Sequence, residues 1–162
     1  MSKSQQIPIR KFQDSDLISV RDLIHRTIDG CYSGVYPPRA VQFFKDFHSE
    51  AQILERQRNG DILVLEHDGN LVATGTIVGG DIFGVFVDPG FQRHGYGAAI
   101  MRELEGRART RGYFESELSV SLPSRGFYEG LGYRMLEECT TDVGEGESLN
   151  YWKARKDLGN ES

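Results

Sequence analysis

The sequence predicts an α+β fold, a mixed, mostly antiparallel sheet flanked by helices, built as one domain over residues 1–162. Three observations carry that prediction. Hydrophobic periods come in a definite order: one short alternating run, two stretches with apolar residues every three or four positions, three short apolar runs, then helix and strand periods in turn. Asp68-Gly69, the strongest short-range hairpin signal, separates two apolar runs. Finally, the apolar run Val85-Phe86-Val87 passes through Asp88-Pro89-Gly90 into a glycine-punctuated helix start.

Taken in order, Ile7 to Phe12 alternates apolar and polar residues and then meets Asp14, so it reads as a short strand ending at a helix cap. Leu17, Val20, Ile24 and Ile28 form the apolar stripe of a helix that Gly30 is expected to stop. Cys31 to Pro38 then reads as a loop, with proline at the start of a second helix. Phe43, Phe44 and Phe47 supply that helix with a packing face, and Ser49-Glu50-Ala51-Gln52 is a capping box for further turns up to Gly60. Strands are expected at 62–65, 71–78 and 81–87, with turns at Asp68-Gly69 and Gly79-Gly80.

Beyond the glycine loop, Ile100, Met101, Leu104 and Ala108 mark the buried face of a helix capped by Gly112. Arg102, Glu103, Glu105, Arg107, Arg109 and Arg111 are expected mostly to face solvent. A strand at 114–120, a short helix at 123–130 and a hairpin around Gly144-Glu145-Gly146 complete the order, with a polar, frayed tail from Lys156. Since a helix crossover joins them, the strands at 81–87 and 114–120 are expected to lie side by side and parallel.

Composition removes several function classes. A net charge of −5 and a pI near 5.4 argue against a general nucleic-acid binder. That acidity suits a cationic amine, or serves solubility alone. No apolar run approaches the ~20 residues of a membrane span. Met1 to Gln6 carries no apolar signal core, so the expected location is cytoplasmic. Cys31 and Cys139 are too few for a disulfide framework, and His25, His48, His67 and His94 lack metal-ligand spacing, so no metal is expected.

The glycine loop is where chemistry concentrates. Gln92-Arg93-His94-Gly95-Tyr96-Gly97 precedes a helix whose first N–H groups lack intrahelical partners and sit at the positive end of the macrodipole, which suits an anion. A dinucleotide fold shares Gly-x-Gly, with Glu117 near the position of a ribose-binding acid, but Ile100 replaces its third glycine and the antiparallel meander does not belong to it. A Walker A loop is excluded because no Gly-Lys-Ser/Thr follows.

Together with Phe127-Tyr128-Glu129-Gly130-Leu131-Gly132-Tyr133 downstream, this loop resembles the two signatures of the GCN5-related N-acetyltransferase (GNAT) superfamily. The resemblance runs in element order over about residues 7–153. It implies that the two parallel strands splay at their C-terminal ends around a thioester, and that acetyl-CoA is the acetyl donor. The amides of Arg93 to Gly97 would then hold the pyrophosphate, with Gln92, Arg93 and His94 around it and Tyr96 packed beneath the helix. Phe86 and Val87 would pair with the pantetheine arm, Ser121 stands where many members carry Asn, and Arg125 is a phosphate candidate.

The same resemblance implies direct attack by a neutral primary amine through a tetrahedral intermediate, with Tyr128 protonating the departing thiolate and a main-chain N–H near Val87 holding the oxyanion. Asp81 and Glu117 are the candidate bases, Asp81 alternatively being only the end of a turn. Tyr32, Ser33 and Tyr36 are candidates for the acceptor pocket. The acceptor is an amine-bearing small molecule or peptide, with no nucleic acid or membrane partner, and monomer and homodimer both stay open. The alternative reading is a CoA-binding regulatory module with a degenerate acceptor site.

Overall fold

In the computed structural model, which describes residues 8–159, Asp68 and Gly69 both take positive φ (53° and 82°), the turn geometry whose twist matches that of the flanking strands. They join β2 (Asp61–His67) to β3 (Asn70–Val78), and Gly79-Gly80 joins β3 to β4 (Asp81–Val87). With β1 (Ile9–Lys11) these strands form an antiparallel sheet ordered β1-β2-β3-β4. The segment Met1 to Gln6, Ile7 of the expected first strand, and the tail beyond Gly159 lie outside the described residues.

Helices α1 (Leu17–Tyr32), α2 (Pro38–Phe47) and α3 (Glu50–Asn59) intervene between β1 and β2. Gly30 does not stop α1, which runs on to Tyr32 and so takes in Cys31. The glycine instead permits close packing, because a Cβ there would lie 3.3 Å from the Pro89 ring. As expected, the Ser49 hydroxyl accepts from the Gln52 N–H at the start of α3. The packing face assigned to α2 is not buried: Ala40 is its only buried residue, while Phe43 and Phe47 remain 42% and 48% exposed.

After α4 (Tyr96–Thr110), strands β5 (Glu115–Ser121), β6 (Arg134–Gly144) and β7 (Glu147–Asp157) form a second antiparallel sheet ordered β5-β7-β6, with α5 (Arg125–Gly130) between β5 and β6. Strands β4 and β5 touch, yet no ladder joins them, so the expected parallel pair is replaced by a break between two half-sheets. A bulge also interrupts β4. Thr74 faces Phe86 and Thr76 faces Phe83, which leaves Gly84 and Val85 together opposite Gly75. Gly84 makes this possible by adopting φ +65°.

Both faces of the first sheet are covered. Along β2, Leu63 and Leu65 join the apolar cluster under α4, whereas Ile62 and Val64 join the one under α1 and α3. Ile100, Met101 and Leu104 of α4 are fully buried, each contributing roughly 1.5–3 kcal/mol by leaving water. Because their cluster includes residues of β2, β3, β5 and β7, α4 binds the two half-sheets together. Among the described residues no helix is long and apolar enough to cross a membrane, and no group of three potential metal ligands occurs.

Two expectations about the rear of the molecule are corrected. Glu105 is buried rather than solvated, accepting from the Tyr133 hydroxyl and from Lys156 Nζ at 2.9 Å each. Lys156 belongs to β7 rather than to a frayed tail, and Leu158 beyond it is buried, its N–H bound to Phe114 O. The polar partners make a charged residue tolerable in that core, so removing it leaves them stranded. Glu105→Ala is therefore expected to lower unfolding free energy by about 3 kcal/mol. Urea melts check this: a midpoint matching wild type would mean the network adds nothing.

Candidate active site

The glycine loop is set by backbone geometry. Asp88 caps the turn after β4 by accepting from the Gly90 N–H at 2.8 Å, and Arg26 Nε reaches it from α1 at 3.1 Å. Burial opposes the Asp88 charge, but these donors outweigh it and hold the carboxyl below its usual range. Arg93 and Gly95 adopt left-handed φ of 68° and 81°, and alternating left- and right-handed residues turn successive N–H groups into one concavity. Gly95 then begins α4, its carbonyl accepting from Ala99 N.

A cavity of about 490 Å³ opens on this loop, lined by Val85 to Val87, Gln92, Arg93, Gly95 to Ala98 and Phe127, among others. Gly97 is a true constraint, because a Cβ would stand 3.0 Å from the Phe127 ring and 3.2 Å from Val87 Cγ2. Gln92 turns back to donate to Val87 O at 3.1 Å. His94 lies outside the cavity, its Nδ1 beside the carbonyls of Phe91 and Gln92 and its ring stacked on Tyr96. Tyr96 is half-buried, packed against the α4 core while also facing the cavity.

A second cavity of about 570 Å³ adjoins the first and shares Tyr32, Val85, Phe86 and Ser124 with it. It takes in the break between β4 and β5. Tyr128 of α5 lines it, buried edge-on to Phe127 and Tyr133. Burial, followed by the nearby Tyr32, pushes the Tyr128 phenol well above its ordinary pKa, which keeps its proton in place at neutral pH. Burial likewise raises Tyr32, although hydrogen bonds with Ser121 and Ser124 partly offset it.

Both candidate bases reach this cavity. Asp81 opens β4 at the rim, and Glu117 stands on the exposed face of β5 with Glu115 and Ser119, as their parity requires. Arg155 Nη2 lies 3.4 Å from Glu117, whereas Asp81 has no ion-pair partner among the described residues.

Other assigned residues are placed elsewhere. Ser33 is exposed, donates to Asp29 O and lines neither cavity. Tyr36 is a structural pin whose hydroxyl donates to Asn150 O and accepts from Leu122 N, both at 2.8 Å. Its burial pushes the phenol up to about 12. Arg125 stacks on Trp152 at 4.4 Å and pairs with Glu129, away from the loop cavity. Val87 is in register with Ala73, so the strand irregularity lies earlier, at Gly84-Val85. Ser121 faces the second cavity and bonds Ser124 at 2.8 Å.

Sequence reasoning missed Phe43, Phe47, His48, Phe83 and Tyr151, all of which line the second cavity. The aromatic run of α2 was a signal, but helical periodicity alone does not say whether an apolar face meets a core or an opening.

The family model described as the acetyltransferase (GNAT) family matches residues 22–133. Among solved structures, the chain is similar to a GCN5-related N-acetyltransferase from Rhodopseudomonas palustris at 19% identity and TM-score 0.86, covering 98% of this chain and 99% of that one. A PaiA N-acetyltransferase from Thermoplasma acidophilum in complex with coenzyme A is similar at 22% identity and TM-score 0.74, covering 94% and 99%. The ribosomal-protein-S18-alanine N-acetyltransferase from Escherichia coli follows at 18% identity and TM-score 0.70, covering 97% of each chain. No curated protein matches in sequence. Identities this low bear on the fold, and the family model, which spans more than half the chain, bears on membership: the protein belongs to the acetyltransferase (GNAT) family.

Proposed function

We propose that the protein transfers an acetyl group from acetyl-CoA to the nitrogen of a primary amine by direct attack. The observation that carries this reading is the meeting of two cavities at Tyr32, Val85, Phe86 and Ser124, where β4 and β5 are not laddered. A donor entering from the glycine loop and an acceptor entering from the other side would meet there. The residues fit acetyl-CoA: left-handed Arg93 and Gly95 and the bare Gly97 form a cradle that a side chain would fill. A similar fold binds coenzyme A in the Thermoplasma acidophilum protein.

In this reading the amides of Arg93 to Gly97 hold the pyrophosphate, and the free edge of β4 at Phe86 and Val87 pairs with the pantetheine arm. When bound, acetyl-CoA supplies the acyl group activated as a thioester. Tyr128 keeps its proton until a thiolate departs and then donates it. The bulge at Gly84-Val85, rather than Val87, is the place where a main-chain donor leaves the ladder. Asp81, unpaired at the rim, accepts the amine proton through a water, while Glu117 is partly neutralised by Arg155. A purely regulatory CoA-binding module is the competing reading, and it predicts binding without thiol release for any amine.

Three outcomes follow from these roles. Gly97→Ala should weaken CoA binding by roughly tenfold, about 1.4 kcal/mol, since Phe127 and Val87 must yield to the new methyl. Calorimetry showing unchanged affinity would place the cofactor elsewhere. Tyr128→Phe should lower kcat by ~10²–10⁴-fold with CoA affinity intact. Turnover within about twofold of wild type would reduce Tyr128 to a packing residue.

The third outcome concerns the base. Asp81→Asn should depress kcat/KM most at low pH, where the amine is protonated, and recover as the amine deprotonates unaided. An Asp81→Asn profile that overlays wild type, with the acidic limb lost in Glu117→Gln instead, would move the role to Glu117.

A further inference from the structure

The wall of the second cavity has a chemistry that the acetyl-transfer reading does not require. Phe43, Phe44 and Phe47 project from α2, and Phe83 from β4 faces Phe47 with ring centroids 6.4 Å apart. Phe43 and Phe47 keep nearly half of their surface open. Apolar surface left open in a recess is costly in water, and it is relieved when an apolar body covers it. His48 lies beside this wall, 4% exposed and edge-on to both Phe47 and Phe86 at 5.0 Å, with Nδ1 lacking a hydrogen-bond partner among the described residues.

Charge of both signs surrounds the wall. Arg56 sits behind it, 6% exposed, with its guanidinium 5.1 Å from the ring centroids of both Phe47 and Phe83. It donates to Phe47 O and has no carboxylate partner among the described residues. Burial lowers its pKa only to about 10, so it stays cationic. Burial, then Arg56, then His25 drive the His48 pKa far down, so the imidazole stays neutral. The carboxylates that line the cavity are Asp81 and Glu117, and its one lysine is Lys153.

We propose that the acceptor is a monoamine carried on an aromatic or bulky apolar body, with no carboxylate next to the amine, its body seated on the Phe43–Phe47–Phe83 wall. This rests on the acetyl-transfer reading and names its substrate class. The single ammonium is attracted by Asp81 and Glu117 before it is deprotonated for attack. A second ammonium, as in a polyamine, would meet a neutral His48 and rings whose π density already faces the Arg56 cation. A free amino acid would bring its carboxylate toward Asp81 and Glu117, which outnumber the one lysine of the lining, Lys153, and repel it.

The test is thiol release from acetyl-CoA by the full chain with 2-phenylethylamine, ethylamine, spermidine and phenylalanine, alongside calorimetry with CoA. The expected result is that kcat/KM for 2-phenylethylamine exceeds that of each of the other three by roughly tenfold or more. In the Phe43→Ala/Phe47→Ala variant the advantage over ethylamine should fall by roughly tenfold, with KM for acetyl-CoA unchanged. Because both rings are half-exposed, a thermal melt near wild type is expected for this variant.

Spermidine or phenylalanine as the best acceptor overturns the proposal while leaving acetyl transfer standing, and so does an unchanged preference in the double variant. CoA binding without thiol release from any amine defeats the acetyl-transfer reading and this proposal with it.

Discussion

Two strands that touch without hydrogen-bonding govern this molecule. Among the described residues, strand β4 pairs only with β3 and β5 only with β7, so each presents a strand edge with no ladder partner to the interior. Such edges ordinarily attract another strand, or are covered. Here the Gly84-Val85 bulge interrupts the register of β4 with β3, while α4, packed on both half-sheets through Ile100, Met101 and Leu104, ties them to one core. Backbone polar groups are thereby held available where the two cavities meet, and the glycine loop and Tyr128 follow directly from the ends of these same two strands.

Electrostatics in the site are local rather than global. The net charge of −5 does not set the character of the glycine loop, whose concavity is backbone fixed by the left-handed Arg93 and Gly95. At the second cavity the pattern reverses, with carboxylates at Asp81 and Glu117 and a buried cation, Arg56, behind the aromatic wall. The phenols between them stay protonated because burial disfavours their charged forms. One side thus carries left-handed, glycine-opened backbone and the other carboxylates, a division that net charge does not reveal.

Much of the fold was legible because it depends on neighbours in the chain. Asp68-Gly69 specifies its hairpin, Ser49 its cap, and the 100–108 stripe its helix, each through contacts within a few residues. The loop of the first cavity was legible for the same reason: left-handed backbone and bare approach are written as glycine at 95 and 97. Gly30 misled, since a glycine that ends a helix and one that lets a helix pass near Pro89 look alike in sequence. Glu105 also misled, because its partners Tyr133 and Lys156 lie 28 and 51 positions away.

By itself, then, the sequence determined the order of elements, the hairpins and the glycine loop, all consequences of local φ preferences and periodicity. The tertiary structure alone decided that β4 and β5 stand apart, that Phe43 and Phe47 face an opening, and that His48 is buried and neutral beside Arg56. It also decided that Tyr36 and Arg125 are held by structural partners while Tyr32 reaches both cavities. The reason is physical: whether an aromatic ring or a charge is core or site depends on what packs opposite it. That is set by long-range contacts that no local pattern encodes.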